Sequence, residues 1–237
     1  MGFPRFYTDQ AIEEKVIIAG SRAHYMRNVL RLALGDHLCL FNGKGGEYKA
    51  QITTLSKHEL TLDILEYSDQ NRQSGLKIEL GLAVIKRDAM DTAIQKATEL
   101  GVHKIQPLFC INNTVSPKGI DKRLRHWQEI SISACEQCGL NILPEISSPL
   151  DAQTWFEGDA DLKLIASPEA KQNLHKLAEN PGNIFIAIGP EGGFAAEEVC
   201  DAIDKGFKEI NLGTRILRAD TAVITMMSLS QYCWGDL

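Results

Sequence analysis

Two glycine-bearing stretches in the C-terminal part of the chain have residue types suited to holding a small molecule. They are Ile188-Gly189-Pro190-Glu191-Gly192-Gly193-Phe194 and Leu212-Gly213-Thr214-Arg215-Ile216-Leu217-Arg218. Glycine lacks a Cβ, so it lets backbone N–H and C=O groups approach a ligand closely and tolerates positive φ. The first stretch follows an apolar run over 184–188 that predicts a buried strand, and it precedes a helical pattern through Val199, Ala202 and Ile203. It is therefore a strand-to-helix turn, of the kind that lies at the carboxyl edge of an open α/β sheet, where ligands bind. The second stretch has the same grammar: a strand over 209–212, a turn at Gly213, then a helix over 219–234. Both are expected to converge on one crevice.

The chemistry offered is not that of a nucleotide phosphate site. Neither GxGxxG nor GxxxxGK[ST] occurs, which disfavours a dinucleotide or a nucleoside triphosphate. Gly43-Lys44-Gly45-Gly46 sits in a hairpin-like setting and reads as an ordinary turn. Of six cysteines, Cys135 and Cys138 form a CxxC, but no second ligand pair stands at zinc-site spacing. This CxxC ends a helix, whereas a redox pair needs the thiolate-stabilising N-terminal end, so packed thiols and no metal are expected.

The elements that must position the two loops come in two blocks. Residues 1–72 predict short strands at 16–18, 38–41, 48–52 and 60–65 with one helix over 21–32, a small β-rich, barrel-like domain. A polar stretch over 68–75 reads as a linker. In 73–237 strands and helices alternate: strand 76–85, helix from 88 to Gly101, strand 104–110, helix 122–138, strand 162–166, helix 169–179, strand 184–188, helix 195–205, strand 208–212 and the final helix. That alternation implies a mainly parallel sheet with helices on both faces.

Apolar content of 44% with 24% charged residues is ordinary for a soluble globular chain, and no apolar stretch is long enough to span a bilayer. With no signal-peptide pattern at Met1-Gly2-Phe3-Pro4-Arg5, the expectation is a cytoplasmic protein. The net charge of −6 speaks against a nucleic-acid partner for the chain as a whole, but residues 1–72 carry nine Lys/Arg against nine Asp/Glu. Within them Arg5, Arg22, Arg27, Arg31 and His24 form the local excess that either a nucleic-acid site or a solvated helix face shows.

The runs HYMRNVLRLALGD (24–36), IQKATELGVHKIQPLF (94–109), HWQEISISACEQCGLNILPEI (126–146), IGPEGGF (188–194) and LGTRILRADTA (212–222) together resemble the RsmE family. These are the 16S ribosomal RNA (uracil-N3) methyltransferases of the SPOUT superfamily, and the match spans nearly the whole chain in order. The resemblance implies a SPOUT-type α/β parallel sheet with a C-terminal trefoil knot, a feature that general topology rules make very rare. It also implies a PUA-like N-terminal β-barrel domain that binds RNA, and a homodimer with the active site near the subunit interface. S-adenosyl-L-methionine is the implied methyl donor and 16S rRNA in the small ribosomal subunit the implied partner.

Carried over residue by residue, the donor site comprises Ala166, Ser167 and Pro168, then Ile188, Gly189, Pro190, Glu191, Gly192 and Gly193, then Leu212, Gly213, Ile216, Leu217, Arg218 and Ala222. Leu212 and Leu217 equally suit plain core. Arg218 is the expected catalytic cation, against a simple salt bridge to Glu191 or Asp220. Relatives usually carry Glu where this chain has Asp220, so that carboxylate is expected in a supporting or capping role. Arg5, His24, Arg27 and Arg31, with Lys118 and Arg123, are the implied RNA contacts. Relatives often place an arginine near the loop where this chain has Asn112 and Asn113, and Lys118, Lys122, Arg123 and Arg125, which follow closely, are the cations expected to compensate. Asn141 suits either a helix terminus or a dimer contact. Two other readings stay open: a sister SPOUT enzyme with a different target atom, and a non-catalytic RNA-binding protein.

Overall fold

The computed structural model describes residues 3–174, 177 and 179–237. The chain divides into two compact units, one formed by Met1–Gln73 with Cys135–Leu143, the other by Ser74–Ala134 with Pro144–Leu237.

In the first unit β1 (Arg5–Tyr7), β2 (Lys15–Ala19), β3 (His37–Phe41), β4 (Glu47–Leu55) and β5 (Glu59–Ser68) form a sheet in the order β1-β3-β4-β5-β2. Only the β1–β3 pairing is parallel. Period-2 alternation turns Val16, Ile18, Ala50, Ile52, Leu60 and Leu62 inward, where Ala23 and Met26 of helix α1 (Gly20–Asn28) pack on them. The helix stops earlier than the sequence predicts. Its end is closed by Arg31 in the left-handed region, at φ 56°, with the Leu32 N–H donating to the Met26 carbonyl at 3.1 Å.

The boundary expected at residue 72 misses a piece of this unit. Phe41, Cys135 and Leu140 bury one another, so the last turn of helix α3 (Ile120–Cys138) and the turn after it belong here. The stretch expected as a linker is anchored as well: the Arg72 guanidinium meets Glu47 at 2.9 Å and the Gly139 carbonyl at 3.0 Å.

The second unit is a parallel sheet of β6 (Lys77–Ala83), β7 (Lys104–Phe109), β8 (Glu145–Ile146), β10 (Leu162–Ala166), β11 (Asn183–Ile188) and β12 (Lys208–Ile210) in the order β12-β10-β11-β6-β7-β8, with β9 (Leu150–Asp151) also paired to β7. Its central strands are buried on both faces and therefore read as continuous apolar runs. Helix α2 (Arg87–Glu99) buries Met90, Ala93, Ile94 and Ala97 at helical spacing and ends at Gly101, where φ is +75°. Helix α6 (Ala219–Trp234) packs on α2 and β11 through Val223, Met226 and Met227. Buried Gln231 of α6 is satisfied on both sides, donating to the Leu100 carbonyl at 2.9 Å and accepting from the Ser74 hydroxyl at 2.8 Å. Helix α5 (Ala196–Asp204) lies between β11 and β12 in the chain.

Three expectations change. The strand expected to reach Leu212 ends at Ile210. No α-helix forms over the described part of 169–174, and the rest of the helix expected over 169–179 includes residues 175, 176 and 178, which lie outside the described residues. Helix α4 (Ala152–Phe156), β1, β8 and β9 have no sequence expectation at all, being too short to show a period.

Short α4 nevertheless decides how tightly the sheet is covered. Trp155 stacks on Phe185 of β11, with centroids 5.0 Å apart, and donates its indole N–H to Glu79 at 2.6 Å. Gly81, two residues along β6 from Glu79, lies beneath the same ring, and a Cβ there would come within 2.4 Å of it. Gly81→Ala is therefore expected to overpack this layer by about 1–3 kcal/mol and lower Tm by several degrees. A thermal melt by circular dichroism with Tm unchanged would show that the layer yields freely.

Candidate active site

Parallel pairing puts the carboxyl ends of β10, β11 and β12 on one edge, and three loops leave from it. They enclose a cavity of about 270 Å³, close to the lower end of the roughly 300–1,000 Å³ range of small-molecule pockets. Ala166, Ser167 and Pro168 line one wall, Ile188, Gly189, Pro190, Glu191 and Gly193 a second, and Leu212, Gly213, Ile216, Leu217, Arg218 and Ala222 a third. Gly192 is the one predicted donor-site residue not on the lining; it faces Asn112 instead. Arg215 and Ala219 line the cavity without having been singled out.

The glycines serve different ends. At Gly189 a Cβ would come within 2.9 Å of the Phe194 nitrogen, so the loop can fold back on itself only with glycine there. At Gly193 there is open space for a side chain, but φ is +71°, so conformation demands glycine.

Four polar side chains hold the loops, and two of them, Asn211 and Glu198, have no expectation from sequence. Asn211 accepts from the Gly213 N–H at 2.6 Å and donates to the Pro168 carbonyl at 2.7 Å, which ties the first loop to the third. Asparagine two residues ahead of a turn glycine is a recognisable Asx-turn signal, so this one was findable. Glu198 is buried and accepts from the Ala195 N–H at 2.8 Å, capping α5, and from the Ile111 N–H at 2.9 Å. Asn112 donates to the Gly193 carbonyl at 3.1 Å, and Asn113 to the Val84 carbonyl at 3.0 Å. Of these asparagines, Asn112 thus pins the 110–113 loop to the middle wall and Asn113 pins it to the segment just after β6.

Arg218 is the N-cap residue of α6; its carbonyl accepts from Ala222 at 2.8 Å, and its side chain is exposed at the cavity. Among the described residues no carboxylate pairs with it, so the salt bridge to Glu191 or Asp220 is not formed. Asp220 is off the cavity lining, in the first turn of α6, with its carboxylate accepting from the Thr221 N–H at 2.9 Å. A carboxylate in the first turn complements the helix dipole, while the N-cap residue Arg218 makes no side-chain capping hydrogen bond.

A family model described as an RNA methyltransferase domain matches residues 72–231, and one described as an RNA methyltransferase PUA domain matches residues 18–65. The chain is 36% identical over 240 residues to the ribosomal RNA small subunit methyltransferase E of Buchnera aphidicola, covering 99% of this chain and 98% of that protein. The chain belongs to the ribosomal RNA small subunit methyltransferase E family. In this family the Bacillus subtilis protein is 28% identical, with 95% and 93% covered. Two solved structures each cover 100% of both chains at 34% identity: a methyltransferase from Legionella pneumophila in complex with the cofactor SAM, TM-score 0.96, and the small subunit methyltransferase E of Neisseria gonorrhoeae bound to S-adenosyl methionine, TM-score 0.93. The fold is thus the family's α/β parallel sheet with a PUA-like unit.

Of the basic residues expected to meet RNA in this methyltransferase, His24 and Arg31 are exposed, and Arg27 is half-buried with a hydrogen bond to the Ser56 carbonyl at 3.0 Å. Lys118 is exposed in the second unit, while Arg123 donates to the Ser116 carbonyl at 3.0 Å. Arg5 is different. Its guanidinium is turned inside the first unit onto Glu47, the Gly139 carbonyl and the Asn141 side chain, with only 14% of the side chain exposed. An RNA contact from Arg5 is replaced by a structural network. Fully buried Asn141 also donates to the Gln70 carbonyl at 2.7 Å, so it is neither a free helix terminus nor a surface contact of this unit.

The cysteines are free thiols among the described residues, and burial pushes Cys39 up to about 11, Cys135 up to about 12 and Cys110 upward, away from nucleophilic thiolate. No helix among the described residues is long and apolar enough to cross a membrane.

Burial raises the Glu47 carboxyl, but hydrogen bonds and charge from Arg72 and Arg5 outweigh it and hold the group at about 2. A depressed pKa stabilises the fold fully above the unfolded value near 4.5, and this contribution is lost as pH falls through about 2. Glu47→Gln is expected to lower Tm at neutral pH, with the gap to the parent closing between pH 5 and pH 2. A gap that stays constant over that window in paired melts would disprove the coupling.

Proposed function

We propose that the protein transfers a methyl group from S-adenosylmethionine to N3 of a uridine in 16S rRNA, acting on the small ribosomal subunit in the cytoplasm. The observation that carries this reading is the three-loop cavity of a chain similar end to end to S-adenosyl methionine-bound relatives. The residues present fit that molecule. Gly189 lets the middle loop fold back on itself beside the cavity, Leu212, Leu217, Ile188 and Ala222 provide apolar walls, and backbone groups of the loops remain to read an adenine edge. Glu191, the carboxylate among the cavity-lining residues, suits a cationic sulfonium centre.

Bound there, S-adenosylmethionine supplies an electrophilic methyl group. The residues of this chain have to place uracil N3 in line with it and favour loss of the N3 proton. Arg218, exposed at the cavity and free of a carboxylate partner among the described residues, is a cation that stabilises negative charge spreading onto the uracil carbonyl oxygens. Asp220, in the first turn of α6, accepts from the Thr221 N–H and supports the start of the helix that follows Arg218. His24, Arg27 and Arg31 of the first unit, and Lys118 and Arg123 of the second, contact phosphates that position the RNA, and the target base is extruded into the pocket. The first unit, Met1–Gln73 with Cys135–Leu143, acts as the RNA-binding domain, and the second, Ser74–Ala134 with Pro144–Leu237, as the catalytic domain.

The C-terminal segment is threaded as a knot; in support, the chain leaves edge strand β12 and returns to pack α6 on α2 and β11. The enzyme works as a homodimer; in support, α6 presents Leu229 and Tyr232 to solvent, the latter 75% exposed.

The deciding experiment is incubation with labelled S-adenosylmethionine and unmethylated small subunits, then nucleoside analysis. 3-Methyluridine is expected; another methylated nucleoside, or none, overturns the assignment. Arg218→Ala is expected to cut kcat by at least a hundredfold with donor affinity nearly unchanged, and unchanged turnover would leave Arg218 a mere helix-cap residue. Gly193→Trp, which forces a side chain onto a positive-φ position of the cavity wall, is expected to abolish donor binding in calorimetry and leave the oligomer intact. Retained binding would remove that loop from the site.

A further inference from the structure

A second and larger concavity, about 670 Å³, lies in the second unit between the first turns of α2 and α3. Buried Ile85, Met90 and Trp127 form its floor, each no more than 2% exposed. Its rim is basic. Arg87 comes from the first turn of α2, and Lys122, Arg125 and His126 project from one face of α3 at spacings of three and four residues. With Arg123, four Lys and Arg side chains line the groove against a single carboxylate, Glu129.

These charges are not consumed internally. Arg87 is 76% exposed and only approaches Asp91, at 3.8 Å, while Asp91 makes its shorter bond, 2.8 Å, to His126. Lys122 and Arg125 are exposed and, among the described residues, have no carboxylate partner. In a chain whose net charge is −6, a groove lined this way is a local reversal of sign rather than a share of a basic surface.

Its place gives the groove a direction. Lys86 lies between the groove residues Ile85 and Arg87, and its backbone N–H points at the Glu191 carboxylate, 3.5 Å away, on the wall of the three-loop cavity. The groove and the cavity thus share a border at the carboxyl edge of the sheet.

We infer that this groove is a binding track for the RNA phosphodiester backbone next to the target nucleotide, with Arg87, Lys122 and Arg125 each meeting a phosphate. The inference rests on the proposed RNA methyl transfer; it adds Arg87 to the basic residues expected near RNA from sequence and gathers Lys122 and Arg125 with it around one groove. Spaced point charges over an apolar floor suit a backbone of regularly spaced anions, and the absence of an exposed aromatic ring there argues for phosphate contact without base stacking. The track therefore contributes grip and register and no base specificity.

The test compares the full-length protein with an Arg87→Ala, Lys122→Ala, Arg125→Ala triple variant, measuring binding to a short single-stranded RNA and to unmethylated small subunits across a salt series. Lys205→Ala, on a lysine paired with Glu157 at 3.4 Å on another face, controls for net charge. Each lost phosphate contact is expected to flatten the log–log salt dependence by about 0.7 on single strands, so the triple variant loses about two units of slope. KM for the subunit rises at least tenfold, while kcat and S-adenosylmethionine affinity are kept. A slope equal to that of the parent, or an equal change in Lys205→Ala, overturns the track. Because the readout is RNA binding, a protein that binds RNA with the full salt slope yet transfers no methyl group would count against the proposed reaction and leave the track standing.

Discussion

Parallel strand pairing is the constraint from which the rest of the catalytic unit follows. Because β12, β10, β11 and β6 all run the same way, their carboxyl ends share one edge, and residues distant in sequence (Ala166, Ile188 and Leu212) become neighbours around one cavity. A parallel sheet requires burial on both faces, which explains the apolar runs of its central strands and the need for α2, α4, α5 and α6 to cover it. The same edge receives the first turn of α2, so the basic groove borders the cavity for the same topological reason.

Loops at a sheet edge have no ladder of their own, and each must be held by side chains. Here the holders are short amides and one buried carboxylate. Asn211 ties the outer loops, Asn112 braces the Gly193 carbonyl, and Glu198 satisfies both the start of α5 and the Ile111 N–H. A buried carboxylate accepting two backbone N–H groups is stable only with both partners in place, so it links the position of the 110–113 loop to that of α5. The wall around the cavity is thereby ordered before any ligand arrives, which lowers the ordering cost of binding.

The first unit depends on a different interaction. Glu47 sits between Arg5 and Arg72, and these two arginines also hold the Gly139 carbonyl, so a strand, the segment after β5 and the turn after α3 meet at one ion cluster. An arginine with five donors suits this role, since a single side chain can serve a carboxylate, an amide and a carbonyl together. His24, Arg27 and Arg31, the other basic residues of this unit proposed to meet RNA, lie on and just after α1. Arg31 adopts a left-handed backbone conformation that ordinarily favours glycine.

Sequence by itself determined the order of the longer elements, the mainly parallel sheet and the two glycine loops, because each depends on local periodicity or on a backbone position that only glycine satisfies. It also carried the family resemblance, through runs spread along the chain. Short pieces such as β1, β8 and α4 were illegible, since two to five residues cannot display a period, and 169–174 reads as helical yet forms no α-helix. The tertiary structure alone decided that Arg5 faces a carboxylate and that Asp220 lies in the first turn of α6, off the cavity lining. It also decided that Asn112 and Asn113 brace a loop and that Arg87 joins Lys122 and Arg125 around one groove. A side chain's charge is written in the sequence, but its partners are set by which distant segments the fold brings within a few ångströms of it.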